Sequence, residues 1–423
     1  MLLVLMKAGV GSEADAAVSA LAAAAGCSES AFSGGARRAY HIAGAAPEGL
    51  RERFAALPGV DAVLADDDAA GLRTSNLRIA SIRPLLPPAI LTEQLPLPAE
   101  GAALVHATRE QIRAILDGRD DRLLVVVGPC SVHDTAAALE YARRLRTVKD
   151  AMADDLLLVM RVYFEKPRTT VGWKGLINDP HLDESFHVND GLRIARRLLL
   201  DLLAAGVPAG CEFLDPVLPQ FFADTVTWGA IGARTTESQT HRELASGLSM
   251  PVGFKNGTGG GIQMAVDAVG AAAHPHHFLG VTEQGLSGIV ATRGNPDCHV
   301  ILRGGKDGPN YDAASIETTL GLLRGTRLAE RVMIDTSHGN SGKDYRRQPE
   351  VARSVGEQVA EGQRGIIGLL MESFLVDGAQ KAVPGQDLVF GQSVTDSCMG
   401  WDMTLPVLEG LADAVKARRR RGA

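Results

Sequence analysis

The chain lacks the features that mark several large protein classes. Its five cysteines, Cys27, Cys130, Cys211, Cys298 and Cys398, lie far apart with no CxxC pair, so neither a disulfide framework nor a zinc ribbon is indicated. No segment approaches the ~18 apolar residues of a membrane span. The apolar start Met1–Met6 has no basic region and is too short for a secretory leader. There is no surplus of positive charge: 43 Lys and Arg stand against 50 Asp and Glu, a net charge of −7, which argues against nucleic acid as a main partner. Walker, HExxH and nucleophile-elbow sequences are absent. The expectation is therefore a soluble, cytoplasmic globular protein. At 423 residues with 45% hydrophobic content, it has room for one large domain and a small one.

Residues 1–73 read as a small α+β unit of the ferredoxin-like type. Expected strands are 2–6, 38–42 and 60–65, with helices 14–25 and 47–57. Residues 74–122 form a proline-rich arm and a lead-in helix. From residue 123 the pattern changes. Eight short apolar runs (123–127, 156–160, 209–213, 230–233, 251–254, 299–302, 332–334 and 366–370) alternate for the most part with helix-like stretches, which predicts a (β/α)8 barrel over 123–423. A doubly wound open sheet is the structural alternative. The glycine-rich segment 282–298 is expected to form an extra hairpin before the sixth strand.

In a barrel all strand C-termini share one face, where chemistry gathers. The residues just past each run are Cys130, then Arg161, Lys166 and Arg168, then Glu212, Arg234, Lys255, Arg303, His338 and Glu372. Arg161-Val-Tyr-Phe-Glu-Lys166-Pro-Arg168 places three cations within eight residues, a density that needs an anion between them. Cys130, His338 and Glu372, with a further carboxylate, would make a mixed S/N/O site suited to one divalent metal ion: Mn, Fe, Co or Zn rather than Mg or Ca. Other groups carry less weight. Gly257–Gly261 lacks dinucleotide-binding spacing and reads as a tight turn. His274-Pro-His276-His277 precedes a strand, at the wrong end for catalysis. The basic run Lys416–Gly422 reads as a frayed, solvated end.

Residues 74–420 resemble the type I 3-deoxy-D-arabino-heptulosonate 7-phosphate (DAHP) synthases. The matching stretches include Gly128-Pro-Cys-Ser, Met160-Arg-Val-Tyr-Phe-Glu-Lys-Pro-Arg-Thr-Thr, Gly232-Ala-Arg-Thr-Thr-Glu-Ser-Gln, Gly253-Phe-Lys-Asn-Gly-Thr, Ile301-Leu-Arg-Gly-Gly-Lys, Ser337-His-Gly-Asn-Ser and Ser393-Val-Thr-Asp-Ser-Cys. The arm is similar to that of type Iα members, and residues 1–73 to the domain that precedes type Iβ members. The resemblance implies condensation of phosphoenolpyruvate with erythrose 4-phosphate and water, the first step of the shikimate pathway. It implies metal ligands at Cys130, His338, Glu372 and Asp396. It further implies phosphoenolpyruvate contacts at Arg161, Lys166, Ala233, Arg234, Lys255 and Arg303, and tetrose phosphate contacts at Arg168 and Thr169. Lys166, Glu212 and His338 are the expected catalytic residues.

The family also implies a homodimer or homotetramer and an aromatic amino acid inhibitor, with a pocket near Asp215, Pro219, Ser249, Phe278 and Gly280. Gly280, where phenylalanine-sensitive members tend to carry Ser, points to tyrosine or to no inhibitor. A synthase using another aldose phosphate and a non-catalytic regulatory homologue are the rival readings.

Overall fold

The computed structural model describes residues 2–34, 37–44, 47–65, 75–168, 170–382 and 387–422. They fall into two units, Met1–Pro84 and Leu85–Ala423. In the first, Leu2, Val4 and Met6 alternate inward along β1 (Leu2–Met6). They pack on Val18 and Ala22 of α1 (Ser12–Ala24) and Phe54 of α2 (Leu50–Ala55). With β2 (Ser28–Gly34), β3 (Arg37–Ala43) and β4 (Val60–Ala65), the element order is βαββαβ and the antiparallel sheet runs β2-β3-β1-β4. That is a small α+β sandwich of the split-βαβ kind. The sequence reading lacked β2, whose Ser-Glu-Ser-Ala-Phe-Ser-Gly has no apolar alternation. It is a strand because its whole length pairs with β3.

The second unit opens with α3 (Pro88–Gln94) and α4 (Ala99–Leu116). Eight parallel strands follow: β5 (Leu123–Gly128), β6 (Leu156–Arg161), β7 (Ala209–Glu212), β8 (Trp228–Ile231), β9 (Val252–Lys255), β12 (Cys298–Leu302), β13 (Val332–Asp335) and β14 (Ile366–Glu372). They close into a barrel, because β12 pairs with β9 and β14 with β5. The open-sheet alternative is thereby excluded. Every barrel strand is buried along its whole length. Leu124, Val126, Val159, Trp228, Ile301 and Met333 fill the interior, while Val125, Val127 and Leu158 face the helical layer. Ile112, Ile115 and Leu116 of α4 join the interior cluster and stopper the N-terminal end.

The helices are α5 (Thr135–Ala151), α6 (Val188–Ala204), α7 (Pro219–Phe222), α8 (Gln239–Gly247), α9 (Gln263–Ala272), α10 (Ala313–Gly325), α11 (Gln348–Ala360) and α12 (Trp401–Gly422). The extra hairpin exists, but as β10 (His277–Val281) and β11 (Ser287–Ala291), so it starts before the expected segment. The C-terminal basic run also differs from expectation. It is the last turns of α12, where Arg418 is buried and Arg419 reaches Asp121 and Asp155. Among the described residues no helix is long and apolar enough to cross a membrane.

Candidate active site at the C-terminal rim

The apolar strands end abruptly in polar groups, several of them as the last strand residue: Arg161, Glu212, Lys255, Asp335 and Glu372. Strand pairing therefore carries these side chains to one rim without loop flexibility. Close backbone approach requires glycine at Gly128, and at Gly232 the Glu212 side chain comes close. A Cβ on Gly128 would come 2.6 Å from the Arg161 carbonyl oxygen, and one on Gly232 would come 2.1 Å from Glu212 Oε1.

A cavity of about 920 Å³ opens on this rim. Nine of its lining residues are Lys or Arg and only two, Glu212 and Asp396, are acidic, a balance that favours a polyanionic occupant. Arg161, Lys166, Arg168, Ala233, Arg234, Lys255, Arg303 and His338 all line it, so the structure gathers the expected anion contacts in one space. Thr169 lies outside the described residues. Lys166 Nζ stands 3.1 Å from Cys130 Sγ and 3.0 Å from the Cys130 carbonyl oxygen. Arg161 donates to Glu372 Oε1 at 3.0 Å and lies over the Tyr163 ring, with its Nη1 buried and unpaired.

Beside the cavity, Cys130 Sγ and the carboxylate oxygens of Glu372 and Asp396 lie within 4.8 Å of one another. His338 Nε2 is 3.9 Å from Glu372 Oε1. His338 itself is held at φ 56°, in the left-handed region. Its Nδ1 faces Asp335 Oδ2 at 2.9 Å, which leaves Nε2 for the cluster. A thiol, an imidazole nitrogen and two carboxylates fit a divalent transition ion, and the carboxylate behind the histidine is the usual partner of such a ligand. Burial, and then the Glu372 carboxylate, push the Cys130 thiol up from its ordinary value. A bound cation would reverse that preference, since metal ligands are deprotonated. Burial works against ionising Asp396, but Lys166, His338 and Lys343 outweigh it and hold the carboxyl below its usual range.

Several contributors escaped the sequence reading. Asp335, fully buried, bonds Lys255 Nζ at 2.8 Å as well as His338. Despite that burial, its contacts with His338 and Lys255 keep its carboxyl well below the ordinary range. Three buried asparagines tie the rim loops together. Asn256 Oδ1 accepts the Arg303 N–H at 2.7 Å, Asn310 Oδ1 that of Gly304 at 2.7 Å, and Asn340 Oδ1 that of Asn310 at 2.8 Å. An acid ending the seventh barrel strand was a legible signal; the asparagines gave none. Glu165 accepts from the Leu214 and Asp215 N–H groups, and burial raises its carboxyl to about 8. His274, His276 and His277 make no metal cluster among the described residues.

The DAHP synthetase I family model matches residues 101–409. The Phe-sensitive phospho-2-dehydro-3-deoxyheptonate aldolase of Escherichia coli K12 is 56% identical over 347 residues, covering 82% of this chain and 99% of that one. The tyrosine-inhibited phospho-2-dehydro-3-deoxyheptonate aldolase of Schizosaccharomyces pombe is 51% identical over 347 residues, covering 81% and 93%. A solved structure of the phospho-2-dehydro-3-deoxyheptonate aldolase from Francisella tularensis superposes with a TM-score of 0.79 at 50% identity, covering 81% of this chain and 99% of that one. With a barrel of this kind, a rim of this charge and identity above one half across most of its length, the chain belongs to the DAHP synthetase I family.

Proposed function

We propose that this rim condenses phosphoenolpyruvate with D-erythrose 4-phosphate and water to 3-deoxy-D-arabino-heptulosonate 7-phosphate and phosphate. One observation carries the reading: Lys166 bridges the cation-lined cavity and the Cys130 thiol, so the polyanion site and the mixed-donor cluster share a boundary. Arg234, Lys255 and Arg303 hold the phosphate and carboxylate of phosphoenolpyruvate. Arg168, with Thr169, holds the tetrose phosphate. Cys130, His338, Glu372 and Asp396 hold one divalent ion of the Mn, Fe, Co or Zn group, which when bound supplies Lewis acidity toward the tetrose aldehyde.

The side chains do the rest. The arginine and lysine contacts bring C3 of the enol against the aldehyde carbon, mainly a proximity effect. Lys166 Nζ, beside the donor cluster, balances the charge that develops as the carbon–carbon bond forms. Glu212, buried at the cavity wall, takes one proton from the water that adds at C2, offsetting the proton gained by the former aldehyde oxygen; the C2–O bond to phosphate then breaks, and the second water proton leaves with the phosphate. A coupled assay of phosphoenolpyruvate consumption, run with erythrose 4-phosphate and with a panel of other aldose phosphates, tests this. Turnover should require the tetrose and stop with a chelator. Chelator-insensitive turnover, or preference for another aldose, would overturn it.

Control by an aromatic amino acid is part of the same proposal. A half-open cavity of about 430 Å³ lies between Pro216 and Val217 on one side and Gly280 and Ile289 of the hairpin on the other. Gly280 lines it, and the expected Asp215 and Phe278 are next in sequence to its lining residues Pro216 and Leu279. The exposed Leu279 and Ile289 support association into dimers or tetramers. Residues 1–73 are proposed as a regulatory domain. Titrating each aromatic amino acid against activity, with and without those residues, separates the two locations; unchanged inhibition after truncation removes any sensing role from that unit.

A further inference from the structure

A second group of metal-ligating side chains stands apart from the rim, where the connection from β6 reaches α6. His181, His187 and Asp190 each offer one donor atom, all within 4.8 Å of one another, and all three side chains are exposed. His187 sits at the N-cap of α6, with its Nδ1 3.8 Å from an Asp190 carboxylate oxygen. The ring of His181 meets that of His187 edge-on at 5.9 Å between centroids.

The backbone between the two histidines is unusual. Leu182, Glu184 and Phe186 have φ of 57°, 59° and 51°, in the left-handed region that bulky side chains avoid. Three such residues in five fold the segment back on itself and bring His181 over His187. Strain of this kind collects at ligand clamps and switch segments.

The donor set is chemically selective. Two neutral imidazoles and one carboxylate suit zinc, copper or nickel and are poor ligands for magnesium or calcium. Metal–ligand bonds of ~2.0–2.2 Å hold tetrahedral donors about 3.4 Å apart, so these three side chains must close slightly. Their exposure permits it. The positive end of α6 opposes a cation there, whereas Asp190 and nearby Asp183 favour one. Arg193, 3.6 Å from Asp190, must give way.

The location gives such a site a role. Arg168 donates through Nε to the Trp173 carbonyl at 2.8 Å, and Trp173 donates through Nε1 to the Asp179 carbonyl at 2.8 Å. Asp179 is two residues before His181. We infer that His181, His187 and Asp190 form a surface site for a divalent transition ion, open at its fourth position, which pins the end of the loop that carries Lys166 and Arg168.

The test uses the full chain, stripped with chelator and titrated with Zn²⁺ alone by calorimetry, with bound metal counted after gel filtration. The wild type should take up two equivalents per chain. One should vanish in Cys130→Ser, and the other in His181→Ala, in His187→Ala and in His187→Gln, which keeps a polar side chain at the cap. Bound Cu²⁺ in Cys130→Ser should show hyperfine coupling to two imidazole nitrogens, reduced to one in His181→Ala. Absence of uptake by Cys130→Ser, uptake by that variant that survives all three histidine substitutions, or uptake only at millimolar Zn²⁺ would overturn the site. Because the Cys130→Ser arm reads the surface site alone, its result does not depend on whether the rim performs the proposed reaction.

Discussion

At the N-terminal end of the barrel, Arg419 pairs with Asp121 and Asp155 at 2.6 and 2.7 Å, Arg122 with Asp120 at 2.6 Å, and Arg331 donates to the Leu116 carbonyl at 3.0 Å. At the C-terminal rim, Arg168, Arg234 and Arg303 have no carboxylate within ion-pair distance among the described residues, although Arg303 is buried. Burial, with Arg234 adding to it, weakens the hold of Arg303 on its proton, and Asp335 opposes the shift. The same residue type thus does two things. Matched to an acid it ties elements together; left unmatched in a cavity it stores electrostatic potential for an incoming anion. The difference separates stability from function by geometry alone.

Five substitutions sharpen or break that division, beginning with the largest effect. Cys130→Ala should abolish metal uptake at the rim and turnover together, and Lys166→Met should leave a folded, inactive protein. Metal analysis and circular dichroism check both, and a metal-free, active Cys130→Ala protein would refute the assignment. Asp335→Asn should lower metal affinity or activity by about 10–100-fold, because it frees His338 and Lys255 while leaving every ligand in place. Normal kinetics would show that the pair of contacts is only structural.

Glu165→Gln should change stability rather than rate. The folded carboxyl titrates near 8 against an ordinary 4.5, so the folded state keeps a proton that the unfolded chain releases. Its contribution is complete below pH 4.5 and is lost as pH rises toward 8. The variant should therefore gain on the wild type in melting temperature between pH 5 and pH 8.5, and parallel curves would contradict the burial argument. Smallest is Arg419→Ala at the other end. It should cost about 1 kcal/mol or less, a drop of a few degrees in melting temperature, with kcat unchanged.

The barrel was legible because its strands are apolar on both faces and five of the eight stop at a charged residue. Position 255 shows the limit of that reading: the apolar run stops at residue 254, and Lys255 is nevertheless the last member of the strand. Asp335 likewise lies one residue past the apolar run 332–334 and is the last member of its strand, a signal the sequence does carry. The asparagine ties of Asn256, Asn310 and Asn340 join three rim loops across up to 84 positions of sequence, and no local pattern encodes them. β2 was missed because an exposed strand paired only along its backbone needs no apolar period. Lys416–Gly422 looked like a solvated tail because its partners, Asp121 and Asp155, are nearly 300 and over 260 residues away.

The hydrophobic stopper that Ile112, Ile115 and Leu116 press into the barrel completes an interior that side chains already fill. With no passage through that packed interior, reactants and products share the cationic vestibule at the rim. Inorganic phosphate and the sugar acid therefore have to clear it before a fresh pair can settle. Product inhibition competitive with the phosphorylated substrates follows from that traffic.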